Sequence, residues 1–216
     1  MAFFQTSKTA DAVKDGGGEY ISKSGMYPVT LKIVSVQTND HNARSLNFNV
    51  DYKGSSTTLY GLKLDNNDGT PNYQAAIFNK LCVIADLDVV ADPEIETHNL
   101  GKDKTPTDLS VLTDFTDLDV IIRVQEVYSI YKNELQSRLE IKGFYRADGA
   151  SASEIVNGSE IGVQFEKDKA YASNVTYKDG LTAEKVAEMK AAKDGGKSQA
   201  AKPADKPAPV AKNLFA

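Results

Sequence analysis

The sequence is poor in the residues that build redox, metal and catalytic centres. Its 216 residues include one cysteine, two histidines and no tryptophan. The lone Cys82 excludes an intramolecular disulfide and a cysteine-cluster zinc site, and its apolar neighbours predict a buried helical residue. His41 and His98 lie in polar segments, where a solvated side chain is the ordinary interpretation and contact with DNA or a metal is the alternative. We therefore expect neither a metal site nor a cofactor.

Recognisable catalytic motifs are also missing. The sequence contains no nucleophile elbow, no His-Glu-x-x-His and no phosphate loop. A two-metal nuclease site requires closely spaced carboxylates, and one segment offers five: Asp86, Asp88, Asp92, Glu94 and Glu96. Because no predicted strand fixes these side chains, a solvated acidic surface is the favoured interpretation. These absences predict a protein that is not an enzyme.

Long apolar runs are absent as well. No stretch approaches the roughly 18 apolar residues that a membrane span requires, and the first residues lack the basic and apolar regions of a signal peptide. We expect a soluble, cytoplasmic protein.

The net charge of -5 is unevenly distributed along the chain. Residues 86–119 carry two basic and ten acidic side chains, a net charge of -8, so the remaining residues together carry +3. Because nucleic-acid binding depends on local basic surface, the overall acidity does not exclude a nucleic-acid ligand.

Composition divides the chain into three parts. Residues 1–24 are polar and contain a glycine run, which predicts a flexible arm. Residues 25–180 carry the strand and helix patterns of one domain. The pattern of residues 181–216 predicts a short helix followed by a disordered tail. The tail is expected to be disordered because its Lys, Ala, Pro and Gly residues bury too little apolar surface.

Hydrophobic alternation predicts five strands and one long helix within the domain. Three strands, at 26–38, 46–52 and 57–64, precede an amphipathic helix at 71–87, and two more strands follow at 119–131 and 135–146. Residues 88–117 read mainly as an irregular connection with short extended pieces, and residues 161–165 as an optional edge strand. This element order predicts a mainly β protein, a five-stranded OB-type barrel with a helix between strands three and four.

Basic and aromatic side chains of the last two strands are the candidate binding residues. OB barrels bind single strands through a basic groove and stacking aromatic rings. The candidates are Arg138, Lys142, Phe144 and Arg146 in the last strand, Arg123 and Tyr131 in the strand before it, and Lys32, Arg44 and Lys63 as an extension. The alternative is the ordinary solvent face of a half-exposed sheet, supported by Glu126, Glu134 and Glu140.

Several short segments carry a resemblance to a known family. They are Ala2-Phe3-Phe4, Ser24-Gly25-Met26-Tyr27, Phe78-Asn79-Lys80-Leu81 and Gly143-Phe144-Tyr145. Over residues 2–158 the chain resembles bacteriophage single-stranded DNA-binding proteins with an OB fold. The resemblance implies a non-catalytic protein of phage replication and recombination that coats single-stranded DNA in the host cytoplasm and recruits replication proteins. The alternative is a protein-interaction adaptor on an OB-like barrel that does not bind DNA.

The C-terminal residues depart from that family. Its members commonly end in an acidic tail closed by an aromatic residue, whereas this tail is net basic and carries Leu214 and Phe215 near its end. We interpret these two side chains as candidate partner-docking residues, the alternative being a frayed end. The acidic segment 86–119 could compete for the DNA groove instead.

Overall fold

The computed structural model of the chain describes residues 19–100 and 105–197. Within these residues, strands provide most of the regular structure and form one open, antiparallel sheet of eight strands, accompanied by four α-helices and a short 3-10 helix. The expectation of a mainly β protein is confirmed. In the described ranges, no helix is long and apolar enough to cross a membrane. The predicted tail and most of the predicted N-terminal arm lie outside the described residues.

The regular elements have the following bounds in chain order: β1 Gly25–Thr38, β2 Arg44–Tyr52, β3 Ser55–Lys63, α1 Ala75–Ile84, β4 Glu94–Leu100, β5 Thr105–Val111, the 3-10 helix Thr113–Phe115, β6 Leu118–Tyr131, β7 Glu134–Arg146, α2 Ala152–Asn157, α3 Val163–Lys169, β8 Thr176–Tyr177 and α4 Ala183–Lys197.

Alternation of apolar and polar residues places β2 with one face in the core. Leu46, Phe48 and Val50 are completely buried, whereas the residues between them are partly exposed. Burying large apolar side chains on one face of a strand is the main stabilising contribution of such a sheet. This face packs against β1, β3 and α1 in a single hydrophobic core.

Strand β1 organises the sheet because different parts of it pair with different neighbours. Residues 30–38 pair with β2 and residues 25–31 pair with β6. On the flank opposite β2, beyond the stretch that pairs with β6, Ser35 and Val36 pair with the end of β5. Strand β3 pairs with β2, and β7 with β6, so one continuous run of neighbours is β3, β2, β1, β6 and β7. No pairing joins β3 to β7 in the described part of the chain, and the sheet is therefore open.

Two of the sequence interpretations differ from the structure at the level of secondary structure. Residues 94–111, predicted to be mainly irregular with short extended pieces, form two seven-residue strands paired as the hairpin β4–β5, in which Glu96 pairs with Leu109. Residues 161–165, predicted as a possible edge strand, form a turn and the start of α3. The hairpin was missed because its exposed strands lack the apolar alternation that marks a half-buried strand.

The chain divides into two compact units. The larger one, here called the sheet unit, contains described residues up to Val127 and residues 137–176. The smaller one, here called the tip unit, contains residues 128–136 and the described residues from Tyr177 onward. Within the sheet unit Ile21 is buried in the core, so packing begins inside the segment that the sequence assigned to the flexible arm.

Candidate nucleic-acid interface

The outer face of β2 and β3 carries a ladder of side-chain amides and hydroxyls. Asn49 donates from its amide to the hydroxyls of Ser56, at 3.0 Å, and Thr58, at 3.2 Å. Asn47 donates to the side-chain oxygen of Gln37 at 3.3 Å. These groups lie on the surface opposite the core-facing residues of β2 and present several donors and acceptors to a ligand.

A β-bulge in β3 turns one aromatic ring onto this outer face. Gly61 has a φ of +78°, a left-handed conformation that favours glycine, and its N–H donates to the side-chain oxygen of Asn47 at 3.0 Å. The bulge allows Leu59 and Leu62, three positions apart, both to face the core. Tyr60 consequently points outward and is 72% exposed.

Sequence reasoning missed Tyr60 as a candidate binding residue. The available signal was the pattern of two core leucines three positions apart around a glycine, which cannot occur in a regular strand. It indicates that the residue next to the first leucine faces solvent.

A polar cleft of about 450 Å³ lies at one end of this face. Two predicted residues, Arg44 and Lys63, line it together with Asp65 and the loop residues around Asn39 and Asn67. Arg44 makes a bidentate ion pair with Asp65, at 2.6 and 3.1 Å, and this pair lowers the pKa of the Asp65 carboxyl.

Six of the seven predicted basic residues are paired with carboxylates. The pairs are Lys32 with Asp117 at 2.6 Å, Arg44 with Asp65 at 2.6 Å, Arg123 with Asp168 at 3.1 Å, Arg138 and Lys142 with Glu140 at 2.7 Å each, and Arg146 with Asp148 at 2.7 Å. Lys63 has no ion pair within the described residues. A phosphate ligand would have to replace these carboxylates. For exposed pairs such a replacement costs little, because a surface ion pair contributes about 0 to 1 kcal/mol.

The paired cations of β7 lie on one side of the strand. Arg138, Glu140 and Lys142 are two positions apart, so their side chains share a face. Glu140 contacts both cations, and its side chain is only 9% exposed. The two candidates are thus brought together, with a shared carboxylate between them.

The expectation that Phe144 stacks on bases is wrong. Its side chain is 3% exposed and packs against Phe48, with the ring centroids 5.4 Å apart. Because Lys142 faces outward, strict alternation would place Phe144 on the outer face as well. Instead, Ile141 and Phe144 both lie in the core although they are three positions apart. A regular strand cannot place both inside, which indicates an irregularity around Gly143.

Arg123 belongs to a packed cluster under α3. It pairs with Asp168, which also accepts a short hydrogen bond from the Tyr145 hydroxyl. Burial and this carboxylate raise the pKa of Tyr145, and its ring packs edge-on against Phe165 with the centroids 5.4 Å apart. Arg123 thus contributes to the attachment of α3 in the structure. Sequence reasoning missed this contact because it did not predict α3.

The tip unit presents Tyr131 by itself. Lys132 and Asn133 both adopt positive φ, as the two-residue turn of a tight hairpin requires. Tyr131, just before the turn, is 63% exposed, with the Lys132 ammonium 5.3 Å from its ring centroid. An exposed ring beside a cation is suited to stacking on a base next to a phosphate.

The remaining candidates give no binding site in the described structure. Leu214 and Phe215 lie outside the described residues. Within the described ranges, no group of three or more His, Cys, Asp or Glu residues is placed to hold a metal ion. His98 contacts Glu96 at 2.6 Å on the exposed β4–β5 hairpin.

Comparison with known proteins adds no assignment. No protein-family model matches the chain, and no curated protein matches it.

Proposed function

We propose that this chain is a non-catalytic protein that binds single-stranded DNA without sequence preference through an OB-type barrel. Five neighbouring strands, β3, β2, β1, β6 and β7, follow the OB order, with α1 between the third and fourth of them along the chain. The Phe48–Phe144 contact supports the barrel interpretation, because it joins β2 and β7 through one core. In this interpretation, β4–β5 is an inserted hairpin.

The observation that carries the proposal is the exposed Tyr60 beside the amide ladder of β2. OB folds bind oligonucleotides on the face of their second and third strands and with the flanking loops. A ring on that face can stack on any base, while amides and hydroxyls such as those of Asn49 and Ser56 can bond to the sugar and phosphate groups.

Electrostatic attraction comes from cations at the ends of this face and along β7. Lys63 has no carboxylate partner in the described structure, and Arg44 is held beside it in the cleft by Asp65. The exposed pairs of Lys32 and Arg146 can exchange their carboxylates for phosphates, and Arg138, whose side chain is 64% exposed, can be reached by a phosphate beside Glu140. We expect binding to weaken steeply with salt, because each phosphate contact releases counterions from the strand.

The proposed biological role follows from the resemblance of residues 2–158 to phage single-strand-binding proteins. The chain would protect single strands during phage replication and recombination in the host cytoplasm. Leu214 and Phe215 would dock replication or recombination proteins.

A protein-interaction adaptor is the second candidate function. The β4–β5 hairpin favours it, because this exposed ribbon carries Glu94, Glu96 and Asp108 around Ile95, whose side chain is 70% exposed. Such a surface fits a basic protein partner. This candidate predicts negligible binding to single strands.

Fluorescence anisotropy of a labelled oligothymidine tests the proposal. We expect saturable binding at low salt, a large loss of affinity at high salt, and weak binding to a duplex of the same length. Absence of binding to oligothymidine at low salt would refute DNA coating and leave the adaptor function.

A further inference from the structure

A groove on the sheet unit, which adjoins the amide ladder at Asp51, contains exposed apolar side chains. Two adjoining depressions of about 850 and 310 Å³ share Ile121 and Ala147 in their walls. Ile161 and Val163 line the larger depression, and they are 51% and 40% exposed. Exposed apolar side chains grouped in one depression mark an interaction site more often than scattered ones do.

The groove has a fixed shape because α2 and α3 are tied together. Ser151 caps α2, and the carboxylate of Glu154 accepts hydrogen bonds from the backbone N–H groups of Ser151, at 2.8 Å, and Gln164, at 2.7 Å. Phe165 in the groove wall is supported from below by Tyr145. A preformed apolar surface loses little entropy when a ligand binds.

Acidic side chains outnumber basic ones around the groove. The carboxylates are Asp51, Asp119, Asp148, Glu160 and Glu166, and the cations are Lys53 and Lys167. Some are paired elsewhere, since Asp148 contacts Arg146 and Lys53 contacts Glu19, whereas Glu160 has no ion pair within the described residues. The surface therefore fits a segment that combines apolar side chains with lysines.

Residues 206–216 of the same sequence have this composition. They contain Lys206 and Lys212, no acidic residue, and the apolar side chains Val210, Leu214 and Phe215. We propose that residues 206–216 of a second copy dock in this groove, with Leu214 and Phe215 against Val163 and the lysines beside the carboxylates.

Such a contact would link copies in a row. The groove and the docking segment are different surfaces, so each bound pair still offers one free groove and one free segment, and the contact can propagate. Its relevance to DNA rests on the proposed coating, because neighbouring copies on one strand would meet at high effective concentration. The docking itself does not depend on DNA.

Peptide binding without DNA tests the docking. The receptor is the full chain carrying Leu214→Ser and Phe215→Ser, and the probe is a fluorescein-labelled peptide of residues 206–216. We expect a saturable rise in anisotropy. Val163→Asp in the receptor should weaken binding at least about tenfold, since an apolar contact is replaced by a charge, and Glu160→Lys should weaken it in a salt-dependent way.

Val89→Asp is the matched control, because Val89 is 80% exposed and lies outside the groove. Equal melting temperatures of the Val163→Asp and Val89→Asp receptors would exclude misfolding. Peptide affinities equal within twofold in these two receptors would overturn the proposal, as would the absence of saturable binding.

Sedimentation velocity tests whether the contact joins two copies. The unmodified chain should form larger species as its concentration rises, and Val163→Asp or the Leu214→Ser/Phe215→Ser variant alone should remain monomeric. An equimolar mixture of these two variants should form pairs and nothing larger. The Val163→Asp chain keeps its docking segment and the Leu214→Ser/Phe215→Ser chain keeps its groove, so each pair has no functional groove or segment left for a third copy. A monomeric unmodified chain at every concentration would overturn docking by a second copy, whether or not oligothymidine binds.

Discussion

Replacing Tyr60 with alanine removes the one large ring that the β3 bulge exposes on the outer face of β2 and β3. The ring is 72% exposed, so its loss leaves no cavity and should hardly change the free energy of unfolding. If one base stacks on it, the loss of binding free energy is about 1 to 3 kcal/mol. That corresponds to a roughly 5- to 150-fold rise in Kd for oligothymidine.

Three further variants separate stacking from other effects. Tyr60→Phe keeps the ring without the hydroxyl and should bind within about twofold of the unmodified chain, because the π-face is retained. Tyr171→Ala removes a comparably exposed tyrosine beyond α3 and should also leave binding unchanged. Because the sequence has no tryptophan, Tyr60→Trp supplies a single tryptophan that can be excited selectively over the tyrosines, and we expect a stacked base to quench its fluorescence.

Anisotropy titrations of these variants at one fixed salt concentration provide the measurement. The reasoning fails if Tyr60→Ala binds oligothymidine within twofold of the unmodified chain and the Tyr60→Trp fluorescence does not change on binding. A loss of affinity equal in Tyr60→Ala and Tyr171→Ala would show that the effect is not specific to this face.

Three other substitutions give distinct outcomes. Glu140→Gln removes the carboxylate shared by the two β7 cations and should tighten oligothymidine binding in anisotropy titrations; weaker binding would contradict a phosphate-binding role for those cations. Backbone N–H donors lower the pKa of Glu154 to about 2 from an ordinary value of 4.5, so its carboxylate stabilises the fold above pH 4.5, and this contribution disappears as the pH falls towards 2. In thermal melts Glu154→Gln should therefore lower the melting temperature at pH 7, with a difference that shrinks in acid; a pH-independent difference would refute the ionic explanation. Phe144→Ala should reduce the free energy of unfolding in urea by about 3 to 5 kcal/mol, because it empties a core position against Phe48; a loss below 1 kcal/mol would contradict its burial.

The long elements of the fold could be predicted because each buries one face in a regular period. The alternation of Leu46, Phe48 and Val50 predicted β2, and the same reasoning located β1, β3, β6 and β7 within a few residues. The helix pattern located α1, although the structure begins and ends this helix a few residues inside the predicted range. The hairpin β4–β5 and the helix α3 are short and largely exposed, so their sequences carry no such period.

The candidate site was less predictable than the fold. Alternation gave the correct side for Arg138 and Lys142 but the wrong one for Phe144, since Ile141 and Phe144 both lie in the core although they are three positions apart. It also gave no indication that Arg123 pairs with Asp168, because these residues are far apart in the sequence.

The sequence by itself determined the strand and helix periods, the acidic segment and the scarcity of catalytic residues, since all of these are local or compositional. Only the tertiary structure decided which cations are paired with carboxylates and which aromatic rings are exposed. Those properties depend on contacts between distant segments and on bulges such as the one at Gly61, where a single extra residue reverses the direction of every side chain that follows.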